Sequence, residues 1–288
     1  MIIYTDLYSR TKNYSLPEKI IKEIESSFNV TITTNINPQA EIYWGDKLTS
    51  EHLEKMPNIK WIHLSKTGYD KFNLPKDKII TNTPESSEGV AEYALTAILH
   101  LARGLDRMTL QRDTFDKNID YILPFNEIKC LIVGYGRIGK KLKKMLDNLE
   151  IYSGFVEKDE DISYRFFIEK FHFIINCLPL NNETKNYFNE DIFGSMDKNS
   201  YIINVGRGET INEDHLYKAL KQNVIRGAFL DVVQKEPISL NNKLLELENV
   251  FISPHIANAT KNSLKIQQNA FETNLRRYIN KETLRNII

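Results

Sequence analysis

Two cysteines in 288 residues are too few for a disulfide framework. Cys130 and Cys177 each lie in an apolar run that reads as a strand, so buried thiols are expected rather than a disulfide or metal pair. A reducing, cytoplasmic setting follows, and no metal site is expected. No apolar stretch approaches the roughly 20 residues needed to cross a bilayer. The first residues, Met1 to Asp6, lack a basic flank and a long apolar run, and read as a first strand rather than a signal peptide. Charge of one sign is not in excess: Lys+Arg and Asp+Glu are both 38. Nothing in that balance draws the chain to nucleic acid or to an anionic membrane. Internal repeats and low-complexity segments are also missing. What remains is a chain with 41% hydrophobic residues, enough for one large domain or two ordinary ones.

The first third alternates short strands with helices. Ile2–Thr5, Val30–Thr33, Glu41–Trp44, Trp61–Leu64 and Lys78–Thr81 read as strands. Ser15-Leu16-Pro17-Glu18 reads as a capping-box opening to a helix whose apolar face carries Ile20, Ile21 and Ile24. Ser50 is expected to cap a short helix ending near Pro57. This βαβ punctuation predicts a mostly parallel sheet covered by helices. A longer helix is expected from Glu88 to Arg103, with Val90, Ala91, Tyr93, Ala94, Ala97, Ile98 and Leu101 on a wide apolar face. Residues 113–127 read as an irregular connection. A second strand-helix alternation runs from Ile128 to about Pro254. One last helical pattern, Lys261 to Ile279, is expected to pack back on the first domain.

Cys130 to Val133 reads as a buried strand, and Gly134-Tyr135-Gly136-Arg137-Ile138-Gly139 follows it directly, opening a helix. GxGxxG between a strand and a helix is the context a dinucleotide site requires. Gly134 suits the tight turn, Gly136 a close backbone approach to a pyrophosphate, and Gly139 close packing of helix on strand. Amides near Arg137 and Ile138 would face the phosphates, favoured by the helix dipole. Glu157 ends the next strand, Ile151–Val156. A carboxylate there would bind the adenosine ribose and repel the 2′-phosphate of NADP, so NAD is the expected cofactor. The plainer reading makes Glu157 the first residue of a charged turn, 157–161.

Three ionisable residues follow later strands: Arg207 after Ile202–Val205, Glu236 after Ala228–Val233, and His255 after Val250–Pro254. Loops at the carboxyl ends of parallel strands bind ligands in open α/β sheets. Hydride transfer to a carbonyl needs a proton donor near neutral pH, and His255 suits it. Glu236 beside it would hold and stabilise the imidazolium. Arg207 would clamp a substrate carboxylate and polarise the keto oxygen. Singly, each residue could be an ordinary surface or turn residue; three after three such strands favour the catalytic reading.

Val133 to Gly139, Cys177-Leu178-Pro179-Leu180 with Glu183-Thr184, Asn204 to Gly208, Leu230-Asp231-Val232 with Glu236-Pro237, and Ser253 to Ala257 together resemble the D-isomer-specific 2-hydroxyacid dehydrogenase family. Pro57 to Ile62 with Gly68-Tyr69-Asp70, and Val90 to Tyr93, extend the resemblance over most of the chain. The resemblance implies an α/β fold of two Rossmann-like domains with parallel sheets and an active-site cleft between them. Residues 1–84, completed by 258–288, would form the substrate domain, and 85–257 the NAD-binding domain. It implies that Arg207 binds substrate, that Glu236 pairs with His255 as acid/base, and that Asp231 bonds the nicotinamide carboxamide. Leu178, Pro179, Thr184, Val205 and Ala257 would line the cofactor site. The turn Lys66-Thr67-Gly68 would offer backbone amides to the substrate carboxylate. A homodimer is implied as well.

The chain departs from the family pattern in four places. The stretch from Glu157 to Cys177 is short, which implies an abbreviated helix. Lys66 and Thr67 replace a more Gly-rich turn, Asn258 stands where Gly is frequent, and the Trp before the Rossmann strand is missing. Formate-type dehydrogenases resemble the family but carry an amide where Glu236 stands. A dinucleotide-sensing interaction protein on the same fold is the alternative from another class, against which Arg207, Glu236 and His255 count. Glyoxylate, hydroxypyruvate, pyruvate, branched keto acids and phosphorylated hydroxy acids all fit as substrate.

Overall fold

The computed structural model describes residues 1–9, 14–70, 72–105, 122–157 and 167–288. In chain order the elements are β1 (Ile2–Thr5), β2 (Tyr8–Ser9), β3 (Tyr14–Ser15), α1 (Glu18–Phe28), β4 (Thr31–Thr33), β5 (Ile42–Gly45), α2 (Ser50–Lys55), β6 (Trp61–Leu64) and β7 (Ile79–Asn82). They continue with α3 (Ser87–Ala102), β8 (Lys129–Val133), α4 (Arg137–Asn148), β9 (Tyr152–Val156), β10 (Phe173–Asn176), α5 (Glu190–Ser195) and β11 (Tyr201–Asn204). The last are α6 (Glu213–Lys221), β12 (Gly227–Leu230), β13 (Val250–Ile252) and α7 (Ser263–Ile279). The chain divides into two compact units, Met1–Ser87 with Ala259–Ile288, and Glu88–Asn258.

The first unit holds a parallel sheet in the order β4-β1-β5-β6-β7, beside a small antiparallel β2-β3 pair. Strands β5 and β6 are buried along their whole length. Parallel strands covered on both faces need such unbroken apolar runs. Helix α7 belongs to this unit: Phe271 stacks on Trp44 at 4.1 Å between centroids and on Trp61 at 5.4 Å. Truncating so deeply buried a ring to Ala costs about 3–5 kcal/mol.

Two helix starts differ from expectation. Pro17, not Ser15, is the N-cap of α1, and no side chain caps it. The pyrrolidine has no acceptor to offer, so Glu18 in the first turn is left to complement the dipole. Thr49 rather than Ser50 caps α2, in a reciprocal box with His52.

The second unit holds a parallel sheet in the order β13-β12-β11-β10-β8-β9. Alternation along the strands divides its core into two layers. Cys130, Ile132, Phe173, Ile175 and Ile203 pack with α3 and α4 through Ala94, Ile98, Leu142 and Leu146. Leu131, Val133, Ile174 and Ile202 pack with α5 and α6 through Ile192, Phe193, Leu216 and Leu220. Cys177 lies just past β10 instead of within it, and β12 stops at Leu230, so Asp231 to Val233 leave the sheet. The chain order reverses between β8 and β10, which is where doubly wound sheets open a crevice at their carboxyl ends. Residues 113–121 of the expected connection and 158–161 of the charged turn lie outside the described residues. Among the described residues no helix is long and apolar enough to cross a membrane.

Candidate active site

The glycine turn sits at that reversal. Gly134 has φ +101°, a backbone conformation that disfavours any Cβ. A Cβ on Gly134 would also meet the Cys177 carbonyl carbon at 2.8 Å, and one on Gly139 the Gly134 carbonyl oxygen at 2.4 Å. A Cβ on Gly136 would meet nothing within 4 Å. The chain therefore closes tightly at Gly134 and Gly139 and leaves open space at Gly136, the N-cap of α4, with Arg137 and Ile138 in its first turn. Tyr135 stacks on Phe155 of β9 at 3.7 Å, and exposed Glu157 follows that strand.

A buried polar chain ties β10 to β11. The Asn176 amide donates to Asn204 Oδ1 at 2.9 Å and to Thr210 Oγ1 at 2.6 Å, and its oxygen accepts from the Leu178 amide at 3.0 Å. Asn204 and Thr210 in turn donate to the Arg207 carbonyl, at 3.1 and 2.5 Å. The backbone of Arg207 is thus held by two side chains, both tied to Asn176, while its guanidinium donates to the Gly206 carbonyl at 2.8 Å. Thr184 serves its own loop, donating to the Pro179 carbonyl at 2.6 Å and accepting from the Asn181 amide at 2.8 Å. Buried Val205 follows β11, where a Cβ on Gly206 would meet the Leu178 carbonyl oxygen at 2.7 Å.

His255 and Glu236 meet: Nδ1 lies 2.8 Å from Oε2, with both side chains about a third exposed. His255 has φ +54°, in the left-handed region. Asp231, 2% exposed, organises the segment around it. One carboxylate oxygen accepts from Ser253 Oγ and the Ile256 amide, both at 2.8 Å, and the other from the Ala257 amide at 3.0 Å. Arg207, Asp231, Glu236, His255 and the glycine turn all belong to one unit: the first four follow the adjacent strands β11, β12 and β13, and the glycine turn follows β8, with β10 between. Among the described residues no group of His, Cys, Asp and Glu could hold a metal ion. Cys130 is buried as expected, which raises its thiol, whereas Cys177 is partly exposed, just past the strand end, with desolvation still pushing its thiol up to about 12.

Lys66, Thr67 and Gly68 follow β6 in the other unit, with the Lys66 ammonium 5.0 Å from the Phe72 ring centre. Behind this turn lies fully buried His63. Thr83 Oγ1 gives its proton to the Leu64 carbonyl at 3.2 Å, so it accepts from His63 Nε2 at 3.2 Å. His63 Nδ1 then accepts from Thr81 Oγ1 at 2.8 Å, and Thr81 accepts from Trp61 Nε1 at 2.9 Å. Burial holds His63 down to about 3, so the imidazole is neutral. Asn176, Thr210 and His63 lie outside the residues that the sequence motifs single out. A lone polar residue in an apolar strand, as in Phe173-Ile174-Ile175-Asn176, was the available signal.

The family described as D-isomer specific 2-hydroxyacid dehydrogenase, NAD binding domain, matches residues 95–257. A glyoxylate reductase of Thermofilum pendens is 31% identical over 239 residues, 75% of this chain and 70% of that protein. A glyoxylate/hydroxypyruvate reductase B of Escherichia coli O6:K15:H31 is 28% identical over 281 residues, covering 85% of this chain and 87% of its own. The fold matches a D-isomer specific 2-hydroxyacid dehydrogenase family protein from Klebsiella pneumoniae 342 with TM-score 0.85, at 22% identity, over 100% of this chain and 97% of that one. Similar folds carry different cofactors. A D-lactate dehydrogenase from Aquifex aeolicus is complexed with NAD (TM-score 0.79, 23% identity, 98% and 96% covered). An acyclic imino acid reductase is complexed with NADPH (TM-score 0.83, 21% identity, 100% of both covered). The fold and these matches define an oxidoreductase with a dinucleotide-binding domain. The chain belongs to the D-isomer specific 2-hydroxyacid dehydrogenase family.

Proposed function

We propose that this enzyme reduces a small 2-keto acid to the D-2-hydroxy acid with NADH, and runs the reverse reaction when the hydroxy acid is in excess. The observation that carries this reading is the 2.8 Å contact between His255 Nδ1 and Glu236 Oε2, which leaves Nε2 as the proton-carrying atom. The open space at Gly136, beside the tight packing at Gly134 and Gly139, fits a pyrophosphate lying over the start of α4. When bound, the nicotinamide supplies the hydride. His255 donates the proton from Nε2 to the carbonyl oxygen, and Glu236 stabilises the imidazolium that carries it. Arg207 binds the carboxylate and polarises the carbonyl, and the amides of Lys66, Thr67 and Gly68 are donors for a substrate carboxylate. Asp231 accepts from the carboxamide with lone-pair capacity left on the oxygen that, among the described residues, takes the Ala257 amide alone. Leu178, Pro179, Thr184, Val205 and Ala257 line the cofactor site, and Glu157 selects NAD over NADP.

Glyoxylate and hydroxypyruvate are the first substrates to try, because the similar reductases named above are named for them. The same reading makes the enzyme a cytoplasmic homodimer, in keeping with two free thiols. The experiment is a panel of keto acids with NADH, followed by absorbance, with product configuration determined. Binding of NADH without turnover of any keto acid would defeat the proposal.

A further inference from the structure

Three consecutive carbonyls of the turn after β6 each accept a hydrogen bond from elsewhere in the same unit. The Ser65 carbonyl accepts from Gln267 Nε2 of α7 at 3.0 Å. The Lys66 carbonyl accepts from the Thr83 amide at 3.3 Å. The Thr67 carbonyl accepts from Asn82 Nδ2 at 2.7 Å. In a trans peptide the C=O and the N–H of the next residue point in opposite directions. Anchoring these carbonyls therefore aims the amides of Lys66, Thr67 and Gly68 each away from the donor that holds the carbonyl before it. Successive amides aimed outward make a concavity for an anion. Thr67 Oγ1 adds a tie to the Thr83 carbonyl at 3.1 Å, and Ser86 Oγ a second at 3.0 Å. Thr83 is itself fixed by His63, so the support extends into the core.

We propose that Gln267, Asn82 and Thr83, with His63 behind them, are positioning residues that set affinity for the substrate carboxylate by aiming the Lys66–Gly68 amides. This rests on the reading of that turn as the carboxylate site. None of these side chains needs to touch substrate. Their effect falls on binding, because the turn holds the carboxylate equally in the ground state and the transition state. The neutral state of His63 makes the support insensitive to pH over the working range.

The test uses the full-length enzyme with NADH and glyoxylate. Asn82→Leu and Gln267→Leu each remove one donor. Expected is a rise in KM for glyoxylate of about tenfold, the scale of a hydrogen bond to a charged group, with kcat within about threefold. NADH affinity, read by fluorescence, should be unchanged. A merely destabilised protein would lose active enzyme without this split. Gln267 is only half-buried, so Gln267→Leu decides the matter if Asn82→Leu does not fold. Wild-type KM in the folded variants overturns the proposal, as does a loss confined to kcat. Thr67→Pro, which deletes one amide outright, identifies what failed. If it raises KM while the others do not, the turn binds carboxylate and only the support is wrong. If it too keeps wild-type KM, the carboxylate reading is wrong.

Discussion

His255 donates its backbone amide to the Asp231 carbonyl at 2.9 Å, while the Asp231 carboxylate accepts from residues on both sides of His255. The imidazole is thus presented on a segment clamped before and after it, in a left-handed conformation that a β-carbon alone does not favour. Asp231→Asn places an NH2 group opposite an amide donor and breaks part of the clamp. Losing a charge-assisted bond of about 1.5–3 kcal/mol predicts a fall in kcat of about ten- to a hundredfold. Steady-state rates with the protein's melting temperature alongside would test this, and unchanged kcat would mean the clamp does not aim His255.

Arg207 offers a different test. Its backbone is held by Asn204 and Thr210, so Arg207→Lys keeps the loop and changes only the head group. Lys cannot reproduce a bidentate fork. The kcat/KM for the keto acid should fall at least about a hundredfold, with NADH affinity little changed. Near-normal turnover would make Arg207 a turn residue.

Cofactor choice tests Glu157, the exposed residue after β9. NADH should be preferred over NADPH by at least about tenfold in kcat/KM, and Glu157→Ser should narrow the preference. Equal use of both by the wild type would remove Glu157 from the cofactor site.

Much of this fold was legible because each layer has its own period. The β6 boundaries, Trp61 and Leu64, are those of the strand read from the sequence, and Gly134 to Gly139 announces its strand-turn-helix by spacing. Arg207, Glu236 and His255 stood out because each follows a strand. The supports were not legible, since their partners are distant in sequence: Gln267 reaches a carbonyl 202 residues away, and Asn176 a hydroxyl 34 away. Nothing local to Gln267 distinguishes it from Gln268. Helix starts failed for a simpler reason, in that several polar residues precede each helix and only one can adopt the cap geometry, as Thr49 does.

The thiols provide a prediction about chemistry that should not occur. The thiolate is the reactive species, and desolvation of the partly exposed Cys177 keeps its thiol protonated until about pH 12. A disulfide reagent at pH 8 should therefore label the folded protein slowly and the unfolded chain at both cysteines. Fast labelling of the native enzyme would place Cys177 in a more polar setting than its surroundings imply.

Acid stability tests His63. Its folded value is held down to about 3 from an ordinary 6.5, because burial disfavours the imidazolium. Below pH 6.5 the unfolded chain takes up a proton there that the folded protein refuses. Stability should then fall as pH drops from about 6.5 towards about 3, with a limiting slope of about 1.4 kcal/mol per unit from this one group. His63→Phe removes the titration. It also deprives the Thr81 hydroxyl of its acceptor, which costs about 1–3 kcal/mol at every pH. The two effects separate in a series of denaturant titrations from pH 7.5 to pH 4. The variant should be less stable at neutral pH, and its stability should decline less steeply with acid, so that the two curves converge towards low pH. Parallel curves would mean that His63 takes up its proton in the folded state, and Nδ1 would then donate to the Thr81 hydroxyl instead of accepting from it.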